Sequence, residues 1–180
     1  LSTVNLDHTF MLNRAFLHEQ RPRLSNESLI ITDPHALSEY GDSAIDRPLD
    51  RVFLSSDLPT FGHGDERLIF FALWEHPRIY EGFFQANALK PLYHGHSVAF
   101  PAIQIACWMG FSEIVLAGID FDFNGEEPHF YKSSDAEKER RQRISLRKAE
   151  KMKESLRYCV QFLEATGGPK IRSVSPYRNL

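Results

Sequence analysis

The stretch from His94 to Asp122 restricts how this chain can fold more than any other. It reads as a turn holding Gly95 and two histidines, a short buried helix, a glycine stop, a buried strand, and acidic residues at the strand's end. Ser97 is placed to cap the helix, because a serine hydroxyl accepts from the otherwise unpaired amides of a first turn. Phe100, Ile103 and Cys107 recur three and four residues apart, with Ala106 in the seam, which gives an apolar helical face. Gly110 follows Met109, where a left-handed residue is expected to end the helix. Glu113 to Ile119 is then an apolar run without alternation, the pattern of a strand covered on both faces in a parallel sheet. In such sheets ligands lie beyond the carboxyl ends of the strands, where Gly118, Asp120 and Asp122 fall.

The remainder of the chain fits the same class. Residues 2–5 predict a stub of strand, and Asp7 is expected to cap a helix through Phe10, Met11, Ala15 and Phe16, closed by Arg21-Pro22-Arg23. Ser28 to Thr32 predicts a strand, and Pro34 turns the chain sharply out of it, since the residue before a proline avoids helical geometry. A single helical turn is expected over His35 to Tyr40. Arg51 to Ser55 and Leu68 to Trp74 predict strands, with a glycine-containing loop at Phe61 to Glu66 between them. Glu75 to Tyr93 carries no assignable pattern and reads as an irregular, partly exposed excursion. Phe123 to Tyr131 is a loop by composition, and Ser134 or Asp135 caps a long charged segment. Its first half, Glu137 to Arg147, reads as a solvated face. Ile144, Met152, Leu156, Cys159, Val160 and Leu163 recur at helical spacing, predicting a helix to about Thr166 that Gly167-Gly168 ends. Lys170 to Val174 is the last strand. Strands alternating with helices predict an α/β layer fold, with a mainly parallel sheet flanked by helices.

A chain of 180 residues without a repeat or a clear internal boundary is expected to be one domain with a real core. A net charge of −3 argues against a broad nucleic-acid surface. Cys107 and Cys159 both sit among apolar neighbours in predicted helices, so they read as two buried thiols in a reducing compartment. No apolar stretch approaches the roughly 20 residues that span a membrane.

Asp33, Asp120, Asp122 and His129 all follow predicted strands, so a parallel sheet would gather them at one edge. The Asp120-Phe121-Asp122 pattern resembles the acidic pair with which many nucleotide-sugar transferases hold a metal on a diphosphate. It equally arises where a strand ends in polar residues. Gly95 and Ser97 precede a helix whose N-terminus offers free amides and a partial positive charge, suited to a phosphate. His94 and His96 read as loop residues. His129 is the best candidate base, because an imidazole with a pKa near 6.5 can accept a proton near neutral pH, held by Asp120 or Asp122.

Gly95-His96-Ser97-Val98-Ala99-Phe100, then Met109-Gly-Phe-Ser-Glu-Ile-Val-Leu-Ala-Gly-Ile-Asp120, then His129-Phe-Tyr131 resemble a known superfamily. It joins the bacterial sialyltransferases of glycosyltransferase family 42 with hydroxymethylpterin diphosphokinase-like proteins. Weaker likeness at Val4-Asn5, Ile31 to His35 and Lys170 to Pro176 extends it over most of the chain. The resemblance implies a Rossmann-like fold for residues 1–180 and, in the sialyltransferase branch, a CMP-sugar donor, no metal and a histidine base. It implies nucleotide contacts from Asn5, from Asp33 where the family has asparagine, from Gly95, His96 and Ser97, and from Gly118 beside the cytidine. Three departures stand out. The N-terminal Gly-x-Gly-Pro-Ser phosphate turn is missing, Asp33 carries a charge, and the family's catalytic histidine falls near Ser133, with His129-Phe-Tyr131 closer to the diphosphokinase branch.

The favoured expectation is a glycosyltransferase using a nucleotide-activated sugar, CMP-linked by the resemblance, in surface-glycan or glycoprotein assembly. It would use His129 and Asp120 in catalysis and need no cofactor. Its acceptor would be a glycan or glycoprotein, its partners would not include nucleic acid, and its place would be the cytoplasm, with peripheral association at the inner face of the membrane compatible. The alternatives are a magnesium-dependent diphosphotransferase acting on a pterin-like alcohol, in which the acidic residues hold the ion, and a non-catalytic nucleotide-binding module.

Overall fold

A computed structural model describes residues 7–17, 26–56, 64–74, 84–119 and 146–174. The chain divides into two compact units, Leu1–Leu73 and Trp74–Leu180. Together they are α/β, with a mainly parallel sheet in the first.

In the first unit, β1 (Thr9–Leu12), β2 (Glu27–Ile31), β3 (Arg51–Ser55) and β4 (Leu68–Phe71) form one sheet in that order. Every neighbouring pair is parallel. β2 is buried along its whole length, as expected of an inner strand with both faces covered. The helix expected from Asp7 is instead β1 followed by a 3-10 turn at Asn13–Leu17. Phe10, Met11 and Phe16 suit either period. The choice goes to the strand because Thr9 to Leu12 find backbone partners on Glu27 to Ile30. Asn13 ends the strand in left-handed backbone (φ 47°), and its Oδ1 accepts from the Thr32 amide at 3.1 Å.

The single turn expected after Pro34 is a full helix, α1 (Pro34–Ile45). Asp33 is its N-cap, with extended backbone and Oδ1 accepting from the His35 amide at 3.0 Å. The restriction that proline places on its predecessor is the geometry an N-cap adopts, so Pro34 starts this helix rather than preventing it. At the other end, Arg67 donates to the Ile45 and Arg47 carbonyls, each at 2.8 Å. Asp65 holds that guanidinium at 2.6 Å, and the pairing pulls its own carboxyl down to about 2. Leu29, Ile31, Val52 and Leu54 from the sheet pack with Ala36 and Leu37 of α1 to make the core.

His8 precedes β1, its Nε2 at 3.0 Å from the hydroxyl of buried Ser28 and its ring 4.7 Å from that of Phe10. Burial holds its pKa below the ordinary 6.5 and outweighs the nearby Asp50 carboxylate, which acts the other way. The folded chain therefore favours the neutral ring. Between the folded pKa and about 6.5 the unfolded chain binds more protons, so stability is lost as pH falls through that window. Melting temperature measured from about pH 7.5 down to about pH 5.5 is expected to fall more steeply for the native chain than for His8→Gln. Equal slopes would show that His8 does not carry the dependence.

The second unit contains α2 (Ala99–Trp108), β7 (Glu113–Leu116), α3 (Leu146–Thr166) and β8 (Lys170–Ser173), preceded by the short strands β5 (Leu73–Trp74) and β6 (Leu92–Tyr93). The strand expected over Leu68 to Trp74 is thus broken at Ala72 into β4 and β5. β7 and β8 run parallel, Glu113 opposite Lys170 and Leu116 opposite Ser173. β7 is less covered than its sequence suggests: Glu113 is exposed and Ile114 and Val115 are half-buried, with Leu116 alone buried. Glu113 pairs instead with Arg172 across the ladder at 2.7 Å. α3 ends as expected. Gly167 is left-handed, and the Gly168 amide returns to the Leu163 carbonyl at 2.8 Å. Phe100, Ile103, Leu116, Leu156, Cys159 and Leu163 form this unit's core. Both cysteines are free thiols, and burial pushes Cys107 up to about 11 and Cys159 up to about 12, which favours the neutral thiol over the thiolate.

Candidate functional site

The turn from His94 to Val98 holds two successive left-handed residues, Gly95 and His96, with φ of 55° and 62°. A Cβ on Gly95 would lie 2.6 Å from Cδ1 of Phe100 and closer still to its Cγ, so the backbone passes directly over that ring. His96 holds a conformation that costs a residue with a Cβ roughly 1–2 kcal/mol. Such outliers persist where the surroundings over-determine them, and they cluster at functional sites.

Three of the residues expected to contact nucleotide, Gly95, His96 and Ser97, are consecutive in this turn. Gly118 lies after β7 in the same unit, also left-handed (φ 69°), with no atom of the described residues within 4 Å of where a Cβ would stand. Phe100 in the first turn of α2 and Leu116 at the end of β7 share one core, against which Ile119 packs. The turn and the strand end thus flank a common apolar cluster.

The expectation of free amides at the start of α2 is corrected. The Ala99 amide donates to Ser97 Oγ at 3.3 Å, the Phe100 amide to the Ser97 carbonyl at 3.0 Å, and the Ala102 amide to the Val98 carbonyl at 3.3 Å. Pro101 has no amide to offer. The partial charge of the helix remains, but these donors are already engaged. Ser97 is not the N-cap expected of it: Val98 holds that place without a side-chain cap, and Ser97, one residue earlier, accepts from the Ala99 amide.

Asp33 lies in the first unit and is engaged in structure. Its Oδ2 accepts from Arg14 Nη1 at 3.1 Å, while Arg14 Nη2 reaches Glu39 Oε2 at 3.3 Å. Asn5, Asp120, Asp122 and His129, with Ser133, fall outside the described residues. Among the described residues no group of three or more His, Cys, Asp and Glu side chains could hold a metal ion, and no helix is long and apolar enough to cross a membrane.

Gln104 is the residue that the sequence reading passed over. It lies on α2 among apolar neighbours and is completely buried. Its Oε1 accepts from the amides of Gln85 (3.0 Å) and Tyr93 (3.1 Å), and its Nε2 donates to the carbonyls of Tyr93 (2.8 Å) and Phe100 (3.2 Å). A lone amide side chain in an otherwise apolar helix was the available signal, because a buried polar group needs partners. Compared with family models, curated proteins and solved structures, the chain finds no match.

Proposed function

We propose that this chain is a glycosyltransferase domain acting on a nucleotide-activated sugar, CMP-linked by its resemblance, with a glycan or glycoprotein hydroxyl as acceptor. The observation that carries the reading is His96 held left-handed directly after Gly95, at the turn where the resemblance puts nucleotide contacts. Because the first amides of α2 are engaged, recognition in this reading rests on the shape of the turn and on the strand end at Gly118, rather than on a bare helix terminus. His129 is proposed as the base that deprotonates the acceptor while the nucleotide phosphate leaves, with Asp120 orienting it. The reading takes residues 1–180 as one Rossmann-like domain working in the cytoplasm, without metal.

Calorimetric titration with CMP, UDP, GDP, ATP and CMP-sialic acid, each with and without magnesium, tests it. CMP and CMP-sialic acid are expected to bind alike in both conditions. His129→Ala is expected to cost roughly 10²–10⁴-fold in transfer at unchanged CMP affinity. Magnesium-dependent ATP binding without CMP binding would replace this reading by the diphosphotransferase. CMP binding without any transfer would leave a nucleotide-binding module.

A further inference from the structure

Gln104 reaches chain on both sides of the candidate turn. Tyr93 lies immediately before His94, and Phe100 lies two residues after Val98. The amide's orientation is fixed by its partners, because exchanging its oxygen and nitrogen would set donors against donors and acceptors against acceptors. Its two hydrogens and two acceptor positions are all used, which is the full capacity of the group. We propose that Gln104 is a positioning residue for the turn, joining the chain that enters at Tyr93 to the helix that leaves at Phe100 and so holding Gly95 and His96 in left-handed backbone for a nucleotide-sugar ligand. This rests on the reading of the turn as a ligand site. The clamp itself can be tested without it.

The diagnostic variant is Gln104→Glu in the full chain, with Gln104→Met beside it. When protonated, the introduced carboxyl still accepts from the Gln85 and Tyr93 amides and donates one hydrogen bond to the Tyr93 carbonyl. When ionised, it sets negative oxygens against the Tyr93 and Phe100 carbonyls. Burial and those carbonyls raise its folded pKa above the ordinary value of about 4.3, so the clamp holds at low pH and is lost as pH rises through the folded value. The native amide has no such titration.

Amide hydrogen exchange over residues 93–98 is read as a variant-to-native ratio at each pH, with α3 as internal reference. Near pH 5 the ratio is expected to stay within about threefold, and near pH 8.5 to rise by at least about tenfold in the turn with much less change in α3. A ratio independent of pH, or equal loss of protection in turn and α3, overturns the proposal, since either would mean that Gln104 only adds general stability. If Gln104→Glu does not fold, Gln104→Met decides in the same way: loss confined to 93–98 supports the clamp and uniform loss overturns it. CMP titration supplies the second arm. If the native chain binds CMP, Gln104→Glu is expected to weaken it about tenfold near pH 8.5 and little near pH 5, relative to the native chain at each pH. Unchanged affinity despite a loosened turn overturns the positioning role. A native chain that binds no CMP removes the nucleotide-sugar reading, while exchange still decides the clamp.

Discussion

Gly95→Ala is expected to lower stability by about 3 kcal/mol, on the order of a 10 °C fall in melting temperature for a chain of this size. Two costs combine. Left-handed backbone disfavours any Cβ by roughly 1–2 kcal/mol, and overpacking a filled core adds about 1–3 kcal/mol. The second is unavoidable here. The new methyl group would overlap Cβ, Cγ and Cδ1 of Phe100, the root of the side chain rather than a flexible tip. Phe100 is itself buried against Ile103, Leu116 and Leu163 and meets the ring of Phe84 edge-on at 6.2 Å. Urea unfolding followed by tryptophan fluorescence reads the right region, because Trp74 and Trp108, the only tryptophans, belong to the unit that contains Gly95. The decisive comparison is with Phe100→Ala, which removes the Cγ and Cδ1 atoms that the new methyl group would overlap. In that background Gly95→Ala is expected to cost at least about 1 kcal/mol less, because residues in contact couple. Additive losses would mean that backbone conformation alone is at issue and that the close approach to Phe100 does not matter.

The sequence exposes the parts of the fold that local periodicity and local stops determine. α2 with Gly110 behind it, α3 with Gly167 behind it, and the strands β2, β3 and β8 all carry their signals within a few residues. β1 is hidden because Phe10, Met11 and Phe16 satisfy a helical spacing, and what selects the strand is a neighbour at Glu27 to Ile30. α1 is foreshortened when Pro34 is weighed as a stop, although proline at a first helical position is favourable. The site divides along the same line. Gly95, His96 and Ser97 stand out as a turn before a helix, yet nothing in their local pattern encodes left-handed backbone at His96. Gln104 joins Gln85 across 19 positions and Tyr93 across 11, and no local pattern encodes such pairings. The engaged amides of α2 were partly legible, since Pro101 removes one donor and Ser97 takes another.

Asp33→Asn separates a structural aspartate from a nucleotide contact. It is expected to destabilise the first unit by roughly 1–3 kcal/mol. Asp33 does two jobs in the folded chain: Oδ1 caps α1 through the His35 amide, and Oδ2 faces the Arg14 guanidinium. Asparagine has a single side-chain oxygen, so either it keeps the cap and turns an amide nitrogen towards Arg14, or it offers Arg14 a neutral oxygen and loses the cap. Arg14 is 7 % exposed at its side chain, so a loss of negative charge beside it is poorly screened by water. Glu39, at 3.3 Å, and the Tyr40 ring, whose centroid is 5.7 Å from the guanidinium carbon, limit the damage. Asp33→Ala is expected to cost about 1 kcal/mol more, because it keeps neither the cap nor an oxygen for Arg14. Arg14→Met is expected to cost less than either, since it removes the buried cation and leaves Asp33 and Glu39, 30 % and 29 % exposed, able to take up water. Amide exchange in β2 and α1 gives the order directly. The resemblance points the other way, because asparagine is the residue it implies at this position as a nucleotide contact. An Asp33→Asn chain that is as stable as the native one and binds CMP more tightly would move Asp33 from the scaffold to the ligand site.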